Sequence, residues 1–200
     1  MKDITDWERM KSGLVYDDFS EELFLKRVEA KKLFKAYNRT TDEEVEERQA
    51  LLSELLNYIG ERAWIEPDFR CEFGKNISIG DDVYINFGCI ILDCAEVLIG
   101  NHVLIGPNLG IYAVNHGFDP EERIAGACQG KSVHIEDNVW IGGDVKILAG
   151  VTIGEGSVIG AGSVVTKSIP ENVIAAGNPC RVIRPITEGD KWGFLKSKDE

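Results

Sequence analysis

Three histidines occur in the 200 residues, His102, His116 and His134, and only His116 stands in a chemical setting. It lies in Asn115-His116-Gly117, at the root of the stretch AVNHGFDPEERIAGACQGKS, where a regular pattern in the flanking sequence breaks. Imidazole can take and return a proton near neutral pH, so a histidine at such a root suits general acid–base work. The bland reading is a surface loop histidine. His102 and His134 fall inside repeat units, His134 on an outward strand position, and read as structural. A second group is basic: Lys167, Arg181 and Arg184 on a chain of net charge −12. Such an island suits phosphates, or it is a solvated patch. No glycine-rich dinucleotide or P-loop motif competes with it. The five cysteines, Cys71, Cys89, Cys94, Cys128 and Cys180, form no CxxC and read as reduced thiols of a cytoplasmic protein.

The elements that must position these groups are set by a six-residue period. Over Val133–Ile169, aliphatic residues recur at Ile135, Ile141, Ile147, Ile153, Ile159 and Val165. Two positions earlier in each unit stand Val133, Val139, Val145, Val151, Ser157 and Ser163. Residues two apart on a strand share a face, and Gly, Asn and Asp between them tolerate tight corners. Three strands and three corners close a triangular coil that is stable only when stacked on others. The phase extends upstream through Ile79, Ile85 and Ile91, skips two residues at Asp93–Glu96, and resumes at Ile99, Ile105 and Ile111. That predicts about four coils, with Cys89 in the core and a loop over 113–132 thrown out in place of one whole coil. Outward positions Tyr84, Leu98, Leu104, Trp140, Val158 and Val164 are apolar, a stripe of the kind that marks interfaces.

Upstream, Thr5 or Asp6 caps a short helix ending near Gly13, and Leu14–Phe19 reads as loop. Ser20 opens a second helix. Thr41 with Glu44 has capping-box spacing for a third, whose stripe runs Val45, Leu51, Leu52, Leu55, Leu56, Ile59 and stops at Gly60. The division is 1–65 helical cover, 66–185 solenoid entered at Glu66–Gly74, and 186–200 tail. The acidic balance argues against nucleic acid or an anionic membrane, and no run is long enough to span one. Met1–Met10 is charged and lacks a signal-peptide core.

The segment KSGLVYDDFSEELFLKRVEAKKLFKAYN, then TTDEEVEERQALLSELL, followed by GKSVHIEDNVWIGG and VIGAGSVVTKSIPENVIAAGNPCRVIR, resembles the maltose and galactoside O-acetyltransferases. The resemblance runs over nearly the whole chain. It implies a mainly β fold, a left-handed parallel β-helix of hexapeptide repeats. It further implies transfer of acetyl from acetyl-CoA to a sugar hydroxyl, with no metal and no covalent enzyme intermediate. His116 would be the general base and the Gly143 N–H the donor to the tetrahedral intermediate. Acetyl-CoA would run past Gly143, Ala161, Thr166 and Lys167 to Arg181 and Arg184. Position by position, the resemblance nominates Asp18, Glu72, Asn86 and Asp93 for the acceptor. Cys94 and Cys128 stand near where galactoside-specific relatives place Asp and Met, and Glu72 replaces a shorter residue, which favours maltose- or glucose-type sugars. The resemblance also implies a homotrimer with each active site between two subunits, His116 from one chain and the Coenzyme A groove largely from its neighbour.

Three rivals remain on the sequence. The same fold could acetylate a xenobiotic, serine or amino sugar. A zinc carbonic anhydrase shares the solenoid but needs three histidines, two of them close in sequence, whereas these three are far apart. A non-catalytic scaffold needs neither the basic island nor a loop histidine.

Overall fold

Residues two apart that face the same way, followed by corner-forming residues, wind the chain into three-sided rungs. The computed structural model describes residues 4–194, so the tail read over 186–200 lies partly outside them. Its centre is a parallel β-helix with three faces. Face one stacks Tyr58–Ile59, Ile77–Ile79, Val97–Ile99, Val133–Ile135 and Thr152–Ile153. Face two stacks Trp64–Ile65, Tyr84–Ile85, Leu104–Ile105, Trp140–Ile141 and Val158–Ile159, then Val173–Ala176 and the antiparallel closing strand Arg181–Pro185. Face three stacks Arg70–Cys71, Ile90–Leu92, Gly110–Tyr112, Lys146–Leu148 and Val164–Val165. The inward residues predicted from the period, including Cys89, Ser157 and Ser163, are all buried. Register stacks like on like: Ile79 on Ile99, Ile99 on Ile135, Ile135 on Ile153. Burying each such side chain is worth about 1.5–3 kcal/mol.

The described residues hold five coils, one more than the period predicted. The extra coil is the first, beginning at Tyr58–Ile59, so the solenoid starts ahead of the expected boundary at Glu66. Ile59 therefore belongs to a strand and Gly60 to a corner. Helix α1 (Asp6–Lys11) carries the expected cap: the Glu8 N–H donates to Thr5 Oγ1 at 3.2 Å and the Thr5 N–H to Glu8 Oε2 at 2.9 Å. Helix α2 spans Glu21–Tyr37 and α3 Val45–Leu55. Thr41 and Glu44 form a turn before α3, the Thr41 N–H donating to Glu44 Oε2 at 2.7 Å, so the helix opens later than its capping-box spacing suggested. Phe34, Tyr37, Leu52, Leu55 and Leu56 share one core with Ala63, Ile65 and Phe69 of the first coil. Buried Arg48 locks that lid, donating to the Ile65 carbonyl at 2.7 Å and the Tyr37 hydroxyl at 3.1 Å.

Two kinds of corner matter for the site. The first edge, from face one to face two, turns through left-handed residues Asp82, His102 and Asn138, with φ of 55°, 54° and 61°. His102 is thus a corner residue, 3.5 Å from Asp82. His134 lies on the outer side of face one, 3.5 Å from Glu96. The third edge, from face three to face one, carries every insertion, including Asp93–Glu96 and the loop. Face three of coil three is followed directly by face one of coil four, so the loop replaces no coil. It folds as a hairpin, Val114–His116 against Ala127–Gly130, with α4 (Pro120–Ile124) at its tip. Asp119 caps α4, accepting from the Glu121 and Glu122 N–H groups at 2.9 and 3.0 Å. Tyr16–Asp17, read as loop from sequence, adds a third strand beside Ala127–Cys128.

Candidate active site

His116 gets its surroundings from strand register. In the three-stranded sheet, Tyr16 lies opposite Cys128 and Cys128 opposite His116, one cross-strand row. Directly opposed side chains are close neighbours. Accordingly, Cys128 Sγ lies 3.1 Å from His116 Nδ1. His116 is exposed, while Cys128 and Tyr16 are buried. The cleft at His116 is lined by Val15, Asn115, Phe118, Glu122 and Lys131 among others. Burial pushes the Cys128 thiol up to about 11, so it stays protonated at neutral pH. Burial also raises the Tyr16 phenol, which lies against Cys94 and Cys128 and lacks a well-formed hydrogen-bond partner.

Asp18 and Glu72 come together through a residue the sequence reading did not single out. Arg27, on α2, pairs its guanidinium with both carboxylates and donates to the Asp18 carbonyl at 2.9 Å. Its charge lies over the Phe73 ring at 5.2 Å. Burial works against that charge, but hydrogen bonds and attraction from Glu72 and Asp18 outweigh it and raise the Arg27 pKa. Asp18 is tied to the hairpin, its N–H donating to the Gly126 carbonyl at 3.0 Å.

Asp93 does not join this cluster. Its side chain is fully buried, accepting from the N–H groups of Glu72 and Phe73 at 3.0 and 2.8 Å and of Asn76 at 3.2 Å. A carboxylate at a corner can satisfy orphan backbone donors as readily as a ligand, and here it holds the third edge of the coil below. The Asp93 oxygens are thus engaged by backbone donors at this corner. Asn86 lies elsewhere, on the second edge, from face two to face three, accepting from the Phe87 N–H at 2.8 Å.

That second edge carries the groove residues. Gly142-Gly143 and Ala161-Gly162 stack there in successive coils. A Cβ at Gly142 would come within 2.6 Å of the Ala161 nitrogen, so only glycine allows this approach. Gly162 turns at φ +71° with open space where its side chain would be, leaving bare backbone. The Gly143 carbonyl accepts from Gly162 at 2.9 Å, and among the described residues its own N–H has no backbone partner. Arg181 opens the closing strand just past this edge. Arg184, on the same strand, is held by Asp190 through two hydrogen bonds of 2.8 and 2.6 Å. Thr166 and Lys167 turn instead at the third edge. Among the described residues no group of three His, Cys, Asp or Glu is placed to hold a metal ion.

A family model described as "Maltose acetyltransferase hexapeptide capping motif" matches residues 9–60, and one described as "Bacterial transferase hexapeptide (six repeats)" matches 132–167. The galactoside O-acetyltransferase of Escherichia coli is 45% identical over 94% of this chain and 93% of its own. The chain belongs to the maltose and galactoside O-acetyltransferase family. Among solved structures, a maltose O-acetyltransferase from Clostridium difficile superposes with a TM-score of 0.89 at 44% identity, covering 92% of this chain and 98% of that one. A galactoside acetyltransferase in complex with coenzyme A gives 0.87 at 44% identity, covering 92% of both.

The maltose acetyltransferase hexapeptide capping motif, residues 9–60, corresponds to the part of the chain from α1 to the first strand of the solenoid. It supplies Tyr16 to the row beside His116, and Arg27 with Asp18 to the carboxylate cluster. Arg27 and Tyr16 gave no signal in the sequence: an arginine on an amphipathic helix is usually solvated, and a tyrosine in a short stretch between two helices is unremarked. The carboxylate pair, Asp18 with Glu72, offered the one clue, since two carboxylates brought together call for a cation.

Proposed function

We propose that the protein moves acetyl from acetyl-CoA to a hydroxyl of a sugar, with His116 as general base. The observation that carries this reading is the placement of His116, exposed at a cleft with Cys128 Sγ at its Nδ1, on a hairpin tied to the Asp18–Arg27–Glu72 cluster. Carboxylates and a guanidinium offer the acceptors and donors that fix a polyhydroxylated ring. The Coenzyme A groove is supported by the bare backbone at Gly162, the Gly143 N–H, which has no backbone partner among the described residues, and Arg181 and Arg184 beyond it. The named relatives are sugar O-acetyltransferases, one of them a coenzyme A complex.

In this mechanism the acceptor hydroxyl gives its proton to His116 Nε2 as its oxygen attacks the acetyl carbonyl. The oxyanion of the tetrahedral intermediate takes the Gly143 N–H as donor. Collapse expels the thiolate, which takes the proton back from His116. The thioester is already activated, so no enzyme nucleophile is required.

The residues of this mechanism divide between two edges of the prism. His116 and Glu72 belong to the third edge and its hairpin, with Asp18 and Arg27 of the N-terminal segment docked on them, and Asn86, Gly143 and Ala161 belong to the second. We infer that a neighbouring copy's second edge completes each site in a homotrimer. Two observations support an assembly. Tyr84, Leu104, Trp140 and Val158 form one column on face two, with Leu104 and Trp140 more than half exposed at 52% and 56%. Phe118 at the hairpin tip is 93% exposed.

The test is thiol release from acetyl-CoA against a panel of maltose, glucose, galactosides, serine and amino sugars. Sugar-dependent release that disappears in His116→Ala is the expected result. Release driven by a non-sugar acceptor, or undiminished release by His116→Ala, would reject the respective part of the reading.

A further inference from the structure

We propose that Cys128 is a positioning residue for His116: its thiol sulfur accepts the Nδ1–H, fixing the imidazole in the tautomer whose Nε2 lone pair points to the acceptor. This rests on the reading of His116 as base. A neutral imidazole can act as base only at the nitrogen that carries no proton. With Nε2 assigned to the substrate, Nδ1 must carry the hydrogen and must have something to receive it.

The groups around Nδ1 leave one candidate. Cys128 Sγ is 3.1 Å away, and it is there because the two residues are opposed across the antiparallel pair Val114–His116 and Ala127–Gly130. The row continues to Tyr16, whose buried hydroxyl lacks a well-formed partner and lies against Cys128 and Cys94. A thiol sulfur carries lone pairs besides its S–H, so it can receive the Nδ1–H of His116. Other titratable groups near the row are Asp18, Cys94 and, lining the cleft, Glu122. Burial keeps the Cys128 thiol protonated at working pH, so it does not form a thiolate–imidazolium pair that would use up the base. A carboxylate in the same place would orient the ring and also stabilise its charged form. A neutral thiol orients without that second effect.

The experiment uses the full chain labelled with 15N-histidine, with His116→Ala to assign the His116 signals. The expected wild-type spectrum shows a protonated Nδ1 and an unprotonated Nε2. Cys128→Ser, which keeps an acceptor and a donor, retains that tautomer. Cys128→Ala mixes the tautomers and lowers kcat about tenfold, as loss of a supporting partner of a functional histidine does, with KM for acetyl-CoA within about twofold. Most of kcat returns in Cys128→Ser. An Nε2–H imidazole in the wild-type enzyme overturns the proposal, and that reading does not depend on any Cys128 variant folding. So does Cys128→Ala with wild-type kcat and tautomer. Undiminished transfer by His116→Ala would sink the base assignment and the proposal with it. An Nε2–H imidazole in an enzyme that His116→Ala inactivates would overturn the role of Cys128 alone.

Discussion

Arg27 reaches Glu72 across 45 positions of sequence and binds it with the same guanidinium that takes Asp18. Two carboxylates at one place repel each other unless a cation stands between them. Arg27 thus fixes the spacing of the groups expected to grip the sugar, and it does so from a helix rather than a loop. Arg27→Ala should raise KM for the acceptor about tenfold and leave KM for acetyl-CoA unchanged. Arg27→Lys should recover only part, because an ammonium lacks the fork that bridges two partners. Steady-state kinetics with each substrate varied in turn check this. Equal changes in both KM values would reduce the cluster to a staple between α2 and the solenoid.

Asp93 should behave as a structural group. Its removal in Asp93→Ala leaves two backbone N–H donors, those of Phe73 and Asn76, without partners in a dry corner, while the Glu72 N–H keeps the Ile91 carbonyl, and costs about 3 kcal/mol. Burial lifts its carboxyl from 3.8 to about 7 against the pull of those donors. The sign follows from linkage. A carboxyl that holds its proton more tightly when folded contributes stability that is fully present below about pH 4 and lost as pH rises through about 7. Urea unfolding across that window should therefore show a decline in the wild type that Asp93→Asn lacks. A pH-independent difference between the two would refute the raised value.

Arg184 meets a carboxylate before it meets any phosphate. Its two hydrogen bonds to Asp190 hold that carboxyl well below the usual range. A phosphate of Coenzyme A must displace or share that partner. Arg184→Ala should raise KM for acetyl-CoA about fivefold, and Asp190→Ala should lower it by about half and steepen its dependence on salt. Calorimetric titration of Coenzyme A at two ionic strengths checks both. If Asp190→Ala weakens binding, the carboxylate serves to aim Arg184 instead.

The solenoid was legible because six-residue phasing leaves little else to build, and the inward series from Ile79 to Val165 is buried as read. The first coil escaped because Leu52, Leu55, Leu56 and Ile59 also fit helical spacing, and at the junction both periods describe the same residues. The strand Tyr16–Asp17 escaped for a different reason. It is two residues long and exists only because a hairpin more than a hundred positions away offers it an edge. His116 stood out by breaking the repeat. Its partner Cys128 could not, since which residues face each other across a hairpin depends on register, and a stretch such as Ala-Cys-Gln-Gly fixes none by itself.

The division of the site between two edges leads to a test that needs no structure of the assembly. His116→Ala disables the third edge and leaves the second intact. Ala161→Trp does the reverse, filling the small-residue groove where Ala161 is exposed on its corner. Each variant alone should be inactive. In trimers assembled from an equal mixture, a site is whole when its third edge comes from an Ala161→Trp chain and its second from a His116→Ala chain. Random assembly makes that pairing about one time in four, so coexpression should restore about a quarter of wild-type activity. Trp140→Glu, placing a charge on the exposed column of face two, should sharply reduce the restored activity if that column is where the copies meet. Two inactive variants that stay inactive when coassembled would mean that both edges of one chain serve the same site, and the reading of a site shared between copies would fail.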